Sequence, residues 1–169
     1  MIFFEYYIIG ENMSKYNRQK VYEYAKKWAY GRNPKYYNFD PVGGDCTNFV
    51  SQCIYAGCSQ MNYNINYGWY YINGNNKSPS WTGVEYLYKF LISNKGSGPH
   101  GKEVRVDELK IWDVIQLSFN NDIFSHSLVV VQNGNSAYNT LIAAHTYNVF
   151  GKRLSEYTYE KYRCLHIEN

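Results

Sequence analysis

A cysteine stands at the predicted start of a helix, in the stretch PVGGDCTNFVSQCIYAG. Cys46 follows Asp45, a favoured N-cap residue, and apolar residues recur behind it at helical spacing up to a predicted stop at Gly57. The partial positive charge of a helix N-terminus favours an anion, so we expect it to lower the pKa of the Cys46 thiol. The backbone N–H of Cys46 could also hold the oxyanion of a tetrahedral intermediate. This position predicts a nucleophile, the alternative being a small buried core residue.

A nucleophilic cysteine needs an imidazole within reach. Of the four histidines, His100 lies in the predicted loop SGPHGKEV and His166 lies close to the C-terminus, and both are interpreted as structural or solvated residues. His126 opens the predicted strand HSLVVVQ, and His145 lies late in the predicted strand NTLIAAHTY. These two histidines are therefore the candidates for chemistry.

The turn between the two strands decides whether these histidines meet. The sequence NGNS at 133–136 is a strong hairpin signal. In an antiparallel hairpin centred there, His126 and His145 face each other and project to the same side of the sheet. We therefore predict a catalytic set of Cys46, His126 and His145, with Asn148 as the alternative third residue.

The bulk composition limits the class of protein. With 169 residues, 45% hydrophobic and 18% charged, the chain has the composition of one globular domain. The net charge of +3 and the lack of a Lys/Arg stripe give no indication of a nucleic-acid partner. No stretch is long and apolar enough to predict an integral membrane segment. The 20 tyrosines suit a surface that grips sugars or peptides, or else simply fill core and rim positions.

The four cysteines are interpreted as free thiols, because a chain of this length needs no disulfide framework. An oxidised pair, Cys46–Cys53 or Cys53–Cys58, is the alternative. Neither the cysteines nor the histidines show ligand spacing, so no metal site and no cofactor are predicted.

The order of the predicted elements is helices first and strands afterwards, which is an α+β pattern. The helical stretches are NRQKVYEYAKKWAYGRN, with Asn17 as N-cap and Gly31 as stop, then 45–57, and then GVEYLYKFLISNKG. The strand-like stretches are IWDVIQLSF, HSLVVVQ, NTLIAAHTY and YEKYRCLHIEN. Between the second and third helices lies an irregular aromatic segment, 59–80, typical of a functional loop. The aromatic loop from Tyr63 to Trp81 is the candidate wall of the substrate cleft, with Trp69, Tyr70 and Trp81 as candidate substrate-binding residues.

Several motifs together resemble the bacterial putative amidase domain, a family placed with the papain-like cysteine hydrolases beside the NlpC/P60 and CHAP amidases. They are GGDCTNFVSQCIYAG, WY at 69–70, SWTGVEYL at 80–87, DVIQ at 113–116, SHSLVVV at 125–131 and AAHTYN at 143–148. The resemblance covers about residues 16–165. It implies a papain-like (NlpC/P60-like) fold with N-terminal helices packed on a C-terminal antiparallel β-sheet.

The resemblance also implies roles for the candidate residues. Cys46 takes the place of the nucleophile, His126 that of the base and His145 that of the third, polar residue. The family often has an acidic residue where this chain has Asn148. The implied activity is that of a cysteine amidase or peptidase acting on bacterial cell-wall peptides, so peptide or peptidoglycan is the expected partner. A transglutaminase-like acyl transferase and a non-catalytic peptide- or glycan-binding module are the alternatives.

Relatives of this kind imply an extracellular or cell-wall location. The start MIFFEYYIIGEN nevertheless lacks a basic leader and a small-residue cleavage site, so it does not predict a secretory signal. We interpret residues 1–15 as an N-terminal extension and residues 16–169 as a single amidase domain. The sequence predicts no oligomeric state.

Overall fold

A computed structural model of the chain describes residues 16–120 and 122–169. The predicted N-terminal extension, 1–15, lies outside the described residues. The helices are α1 (Arg18–Trp28), α2 (Cys46–Cys58), α3 (Pro79–Thr82) and α4 (Val84–Ser93). The strands are β1 (Tyr71–Asn73), β2 (Asn76–Lys77), β3 (His100–Val104), β4 (Val114–Asn120), β5 (Ile123–Gln132), β6 (Leu141–Ala144), β7 (Val149–Arg153) and β8 (Lys161–Glu168). Within these ranges, no helix has the length and apolar character needed to cross a bilayer.

The main sheet has six strands in the order β3-β8-β4-β5-β6-β7, and every neighbouring pair is antiparallel. A separate two-stranded ribbon, β1-β2, lies in the aromatic segment. Four helices and a six-stranded antiparallel sheet confirm the predicted α+β class.

Helix α2 packs against one face of the sheet and carries the buried residues that join helices to strands. Phe49 of α2, Val129 of β5 and Ala143 of β6 belong to one buried cluster. Alternate residues of the same strands, among them Leu128 and Ile142, belong to a second cluster on the opposite face. The sheet is therefore buried on both faces, and the start of α2 is fixed relative to β5.

The ends of the first two helices test the predicted caps. Asn17 caps α1 as predicted, because its side chain accepts a hydrogen bond from the Lys20 amide at 3.0 Å. The predicted stop of α2 at Gly57 is wrong, since the helix continues to Cys58 and ends at Ser59 with a φ of 55°. Gly57 is instead a contact point, because a Cβ there would lie 2.6 Å from Val21 of α1. Its lack of a side chain lets the two helices approach.

Two strands of the sheet were not predicted. The segment SGPHGKEV, expected to be a loop, contains edge strand β3, and β7 forms the opposite edge. Both edge strands lack a long apolar run, and each pairs with only one neighbour. Because their backbone hydrogen bonds come from β8 and β6, tertiary pairing rather than local propensity makes them strands.

The β5–β6 hairpin forms as predicted, but its register differs by one residue. Val129 pairs with Ala143 and Val130 with Ile142, and an irregularity follows before Gln132. Continued by two residues, this register places His145 opposite Ser127 rather than opposite His126. Because side chains alternate along a strand, a shift of one residue sends His126 and His145 to opposite faces. The predicted facing pair is therefore wrong.

Candidate active site

The first turn of α2 is held by the carboxylate that precedes it. Asp45 is fully buried and makes no side-chain cap to a helix amide, contrary to prediction. Its Oδ1 accepts hydrogen bonds from the Phe39 amide at 3.0 Å and from Asn48 Nδ2 at 2.8 Å. The carboxylate thus fixes the Gly-Gly loop against the helix start, and Cys46 is the first residue of that helix.

His145 binds the same carboxylate rather than another histidine. Its Nδ1 lies 2.6 Å from Asp45 Oδ2 and its Nε2 lies 2.8 Å from the Trp28 carbonyl oxygen. The ring stacks on Phe49 with 3.9 Å between centroids and is 1% exposed. Each ring nitrogen faces an acceptor, so His145 joins α1, α2 and β6 and does not orient His126.

The alternative third residue, Asn148, is also engaged elsewhere. Its side chain is exposed, and its Oδ1 accepts a hydrogen bond from Arg32 Nη2 at 2.9 Å. Arg32 Nε in turn lies 3.4 Å from Asp45 Oδ2. The structure therefore brings neither predicted third residue to His126.

His126 lies next to an irregularity in the β4–β5 ladder. It pairs with Leu117, whereas the next residue of β4, Ser118, pairs with Phe124, so Ser125 is the extra residue of a bulge. Bulges re-aim neighbouring side chains and are common beside active sites. The His126 side chain is buried, and its Nε2 has no hydrogen-bond partner among the described residues. Burial, followed by the positive charge of Lys152, lowers the pKa of the imidazole to about 4.

Cys46 and His126 line one small cavity of about 180 Å³. The structure therefore brings together the predicted nucleophile and the predicted base, although they lie 80 residues apart in the chain. The other lining residues are Gly43, Phe119, Ser125, Thr146, Tyr147 and Tyr157.

A set of hydrogen bonds ties the first turn of α2 to β5 beside this cavity. Thr47 Oγ1 lies 3.0 Å from Ser127 Oγ, which also accepts from Gln116 Nε2 at 3.3 Å. The backbone N–H of Ser127 donates to the Cys46 sulfur, and Thr47 Oγ1 lies 3.8 Å from it. Ser127 directly follows His126, so the bonds that hold Cys46 also fix its position relative to the base.

The protonation state of Cys46 differs from the expectation. Burial raises the pKa of the Cys46 thiol above its ordinary value, opposed by hydrogen bonds from Ser127 and Thr47. The neighbouring Asp45 carboxylate raises it further. Desolvation is the largest of these contributions, and it favours a thiol at Cys46 as the lowered pKa favours a neutral imidazole at His126. All four cysteines are buried and free, so the structure contains neither alternative disulfide.

Tyr157 is a residue of the cavity that the sequence did not indicate. Its hydroxyl is buried and has no hydrogen-bond partner within the described residues, and its ring lies 5.9 Å from that of His126. Burial, with a smaller contribution from Cys46, raises the pKa of the phenol to about 12, so it stays a donor at neutral pH. It lies in the run YTYEKY, where nothing in the pattern separates it from its neighbours.

The predicted aromatic cleft wall is mostly core. Trp69 and Trp81 are both fully buried, and their rings pack together with 4.8 Å between centroids. Trp69 Nε1 donates to Ser51 Oγ and Trp81 Nε1 donates to Asn48 Oδ1, both on α2. These two indoles therefore have no surface for a substrate. Tyr70 is half-buried and stacks on Tyr63 at 5.5 Å, away from the cavity lining.

Comparison with known proteins gives one family and one curated relative. Residues 15–167 match the family model described as "Putative amidase domain". The chain is 35% identical over 151 residues to the uncharacterized protein YhbB of Bacillus subtilis, an alignment that covers 86% of this chain. The same alignment covers 45% of YhbB, so the chain spans about half the length of that relative. No solved structure matches the chain significantly.

Proposed function

The chain belongs to the putative amidase domain family, and we propose that it is a cysteine hydrolase that cleaves an amide bond. One observation carries the proposal: Cys46 and His126 line one cavity, and Nε2 of His126 is buried without a hydrogen-bond partner among the described residues. A buried nitrogen without a partner costs about 1–3 kcal/mol of stability, so its retention points to a partner that arrives with the substrate. The family name independently suggests an amidase-like hydrolase.

The resting protonation states define the proposed sequence of steps. His126 is neutral at physiological pH, so it can accept the thiol proton as the Cys46 sulfur attacks the amide carbonyl carbon. The tetrahedral intermediate then collapses, and the imidazolium gives the proton to the leaving amine. Water attacks the resulting thioester with His126 again as base, which releases a carboxylic acid and restores the thiol.

Two donors are proposed for the oxygen that becomes negative. The backbone N–H of Cys46 lies in the first turn of α2, where amides have no intrahelical acceptor. Tyr157 lines the same cavity, and its buried hydroxyl has no hydrogen-bond partner among the described residues. Removing one such donor typically lowers kcat by about 10²- to 10³-fold.

Asp45 and His145 are proposed as positioning residues rather than as part of a proton relay. Neither is among the residues that line the cavity, but their hydrogen bonds fix the loop and the helix start that present Cys46. A helix-start cysteine packed on an antiparallel sheet that supplies the histidine supports the papain-like relationship. Among the described residues, no side chain forms a hydrogen bond with Nε2 of His126.

The test is hydrolysis of purified bacterial peptidoglycan, the substrate class that the resemblance suggests, with released peptides identified by mass spectrometry. We expect new amino and carboxyl ends with the wild type and none with Cys46→Ser or His126→Gln. Cys164→Ser is the matched control, because Cys164 is also a buried free thiol but lies outside the cavity. Cleavage that survives Cys46→Ser would exclude the thiol as nucleophile.

The same assay separates the alternatives. Peptides that carry glycinamide when this amine is added would identify an acyl transferase. Peptidoglycan binding without cleavage and without a Cys46 adduct would identify a binding module. Tyr157→Phe should keep substrate binding while kcat falls about 10²-fold, and Tyr159→Phe, outside the cavity, should change neither.

A further inference from the structure

We propose that a second cavity beside the Cys46 cavity binds a carboxylate of the substrate through Lys77, so the preferred substrate is an acidic peptide. This inference rests on the proposed amide hydrolysis and adds the chemistry by which the substrate is recognised. It concerns the cavity whose lining includes Phe39, Gly43, Gly74 and Lys77.

The two cavities differ in volume, and the difference indicates which part of the substrate each one can hold. The Cys46 cavity, about 180 Å³, is smaller than the roughly 300–1,000 Å³ of ordinary ligand pockets. It has room for the reacting amide but not for a peptide. The second cavity, about 470 Å³, lies within that range, so it offers the room for the rest of the substrate.

Gly43 lines both cavities, so the two cavities adjoin at this residue. Its φ of 110° favours glycine, and a Cβ at this position would meet no atom within 4 Å. The main chain at Gly43 therefore carries no side chain and faces open space. A peptide chain can cross it, with its amide at Cys46 and a neighbouring side chain in the second cavity.

The ammonium of Lys77 is held at the wall of the second cavity. Its Nζ donates to the Gly74 carbonyl oxygen at 3.0 Å and lies 4.7 Å from the centroid of the Phe39 ring. Both of these residues also line the cavity. An ammonium has three N–H donors, and no carboxylate of the described residues forms an ion pair with this one. The ammonium is thus positioned and still has donors for a ligand.

Lys77 brings a positive charge into the second cavity, whereas the Asp45 carboxylate between the lining residues Gly44 and Cys46 is fully buried and bound by His145 and Arg32. Neither lining includes Asp or Glu. Asp40, close in sequence to Phe39, is paired with Arg32 at 2.7 Å. At the other end, the Lys152 ammonium lies 4.1 Å from the centroid of the Tyr157 ring, beside the Cys46 cavity. Such a surface attracts a negatively charged peptide, and a single ammonium suits a single carboxylate.

The test uses eight tetrapeptides, N-acetylated and C-amidated, with one Glu or one Gln at each position and Ala elsewhere. Binding to the Cys46→Ala protein is measured by calorimetry, and cleavage by the wild type is followed by mass spectrometry. For at least one position we expect Glu to bind about tenfold more tightly than Gln, since a charged acceptor makes the stronger hydrogen bond. Lys77→Met should remove this preference and Lys77→Arg should keep it.

Lys95→Met is the matched control, because it removes the same charge from an exposed loop position outside both cavities. The inference is overturned if Glu and Gln peptides bind equally, if none binds, or if the preference survives Lys77→Met in a protein with unchanged circular dichroism. A Lys77-dependent preference without any cleavage would keep the carboxylate site and reject the amidase. Cleavage at Cys46 without a Glu preference would do the reverse.

Discussion

Replacing His126 with Gln should change how the stability of the protein depends on pH. Folding lowers the pKa of His126 from the ordinary 6.5 to about 4, mainly through burial. Between these two values the unfolded chain holds a proton that the folded chain does not, so stability falls as pH falls from 6.5 to 4. Linkage between the two pKa values makes the wild type about 2 kcal/mol less stable at pH 5 than at pH 7 through this group alone.

Urea unfolding at both pH values, followed by circular dichroism, measures this difference. Other carboxyl and imidazole groups also titrate in this range, but they contribute equally to both proteins and cancel in the comparison. We expect the loss of stability from pH 7 to pH 5 to be about 2 kcal/mol smaller in His126→Gln than in the wild type. If the two losses are equal, His126 is not held neutral by burial, and its role as a base that is neutral at rest is refuted.

Three further results are expected. Iodoacetamide should label Cys46 slowly at neutral pH and faster only as pH rises above the ordinary thiol range, because burial raises its pKa; a plateau below pH 7 would show a thiolate instead. His145→Ala should lower the free energy of unfolding by about 3 kcal/mol or more, since it leaves the buried Asp45 carboxylate without its imidazole, and an unchanged urea midpoint would argue against that bond. Gly57→Ala should lower the melting temperature through about 1–3 kcal/mol of overpacking against Val21, whereas a rise would mean that helix propensity prevails.

Local patterns were sufficient wherever a feature depends on its own stretch of chain. The apolar spacing behind Cys46 gave the helix, and the Asn17 side chain gave the cap of α1. The alternation of β5 and β6 and the turn signal between them gave an antiparallel hairpin. The helix, the cap and the hairpin depend on local backbone preferences and on which side of the element is apolar. Both properties can be inferred from consecutive residues.

The contacts between the two strands of that hairpin could not be predicted from the sequence, because their register depends on the conformation of the whole turn. The chain turns through 133–140, where the Ser136 carbonyl accepts from both Asn139 and Thr140. This longer turn and the adjacent irregularity move the pairing by one residue and separate His145 from His126. A sum of residue numbers is correct only if the turn is symmetrical and the strands have no bulge.

The sequence by itself determined the class of the fold, the cysteine at the start of α2 and the histidine at the start of the HSLVVVQ run. The tertiary structure decided what surrounds them: the carboxylate that His145 binds, the burial that raises the Cys46 pKa, and the presence of Tyr157 in the cavity lining. The physical reason is the separation along the chain over which each kind of interaction acts. Backbone propensity and amphipathic spacing act over a few residues, whereas desolvation and hydrogen-bond partners depend on residues as far away as Trp28 and His145, which are 117 positions apart.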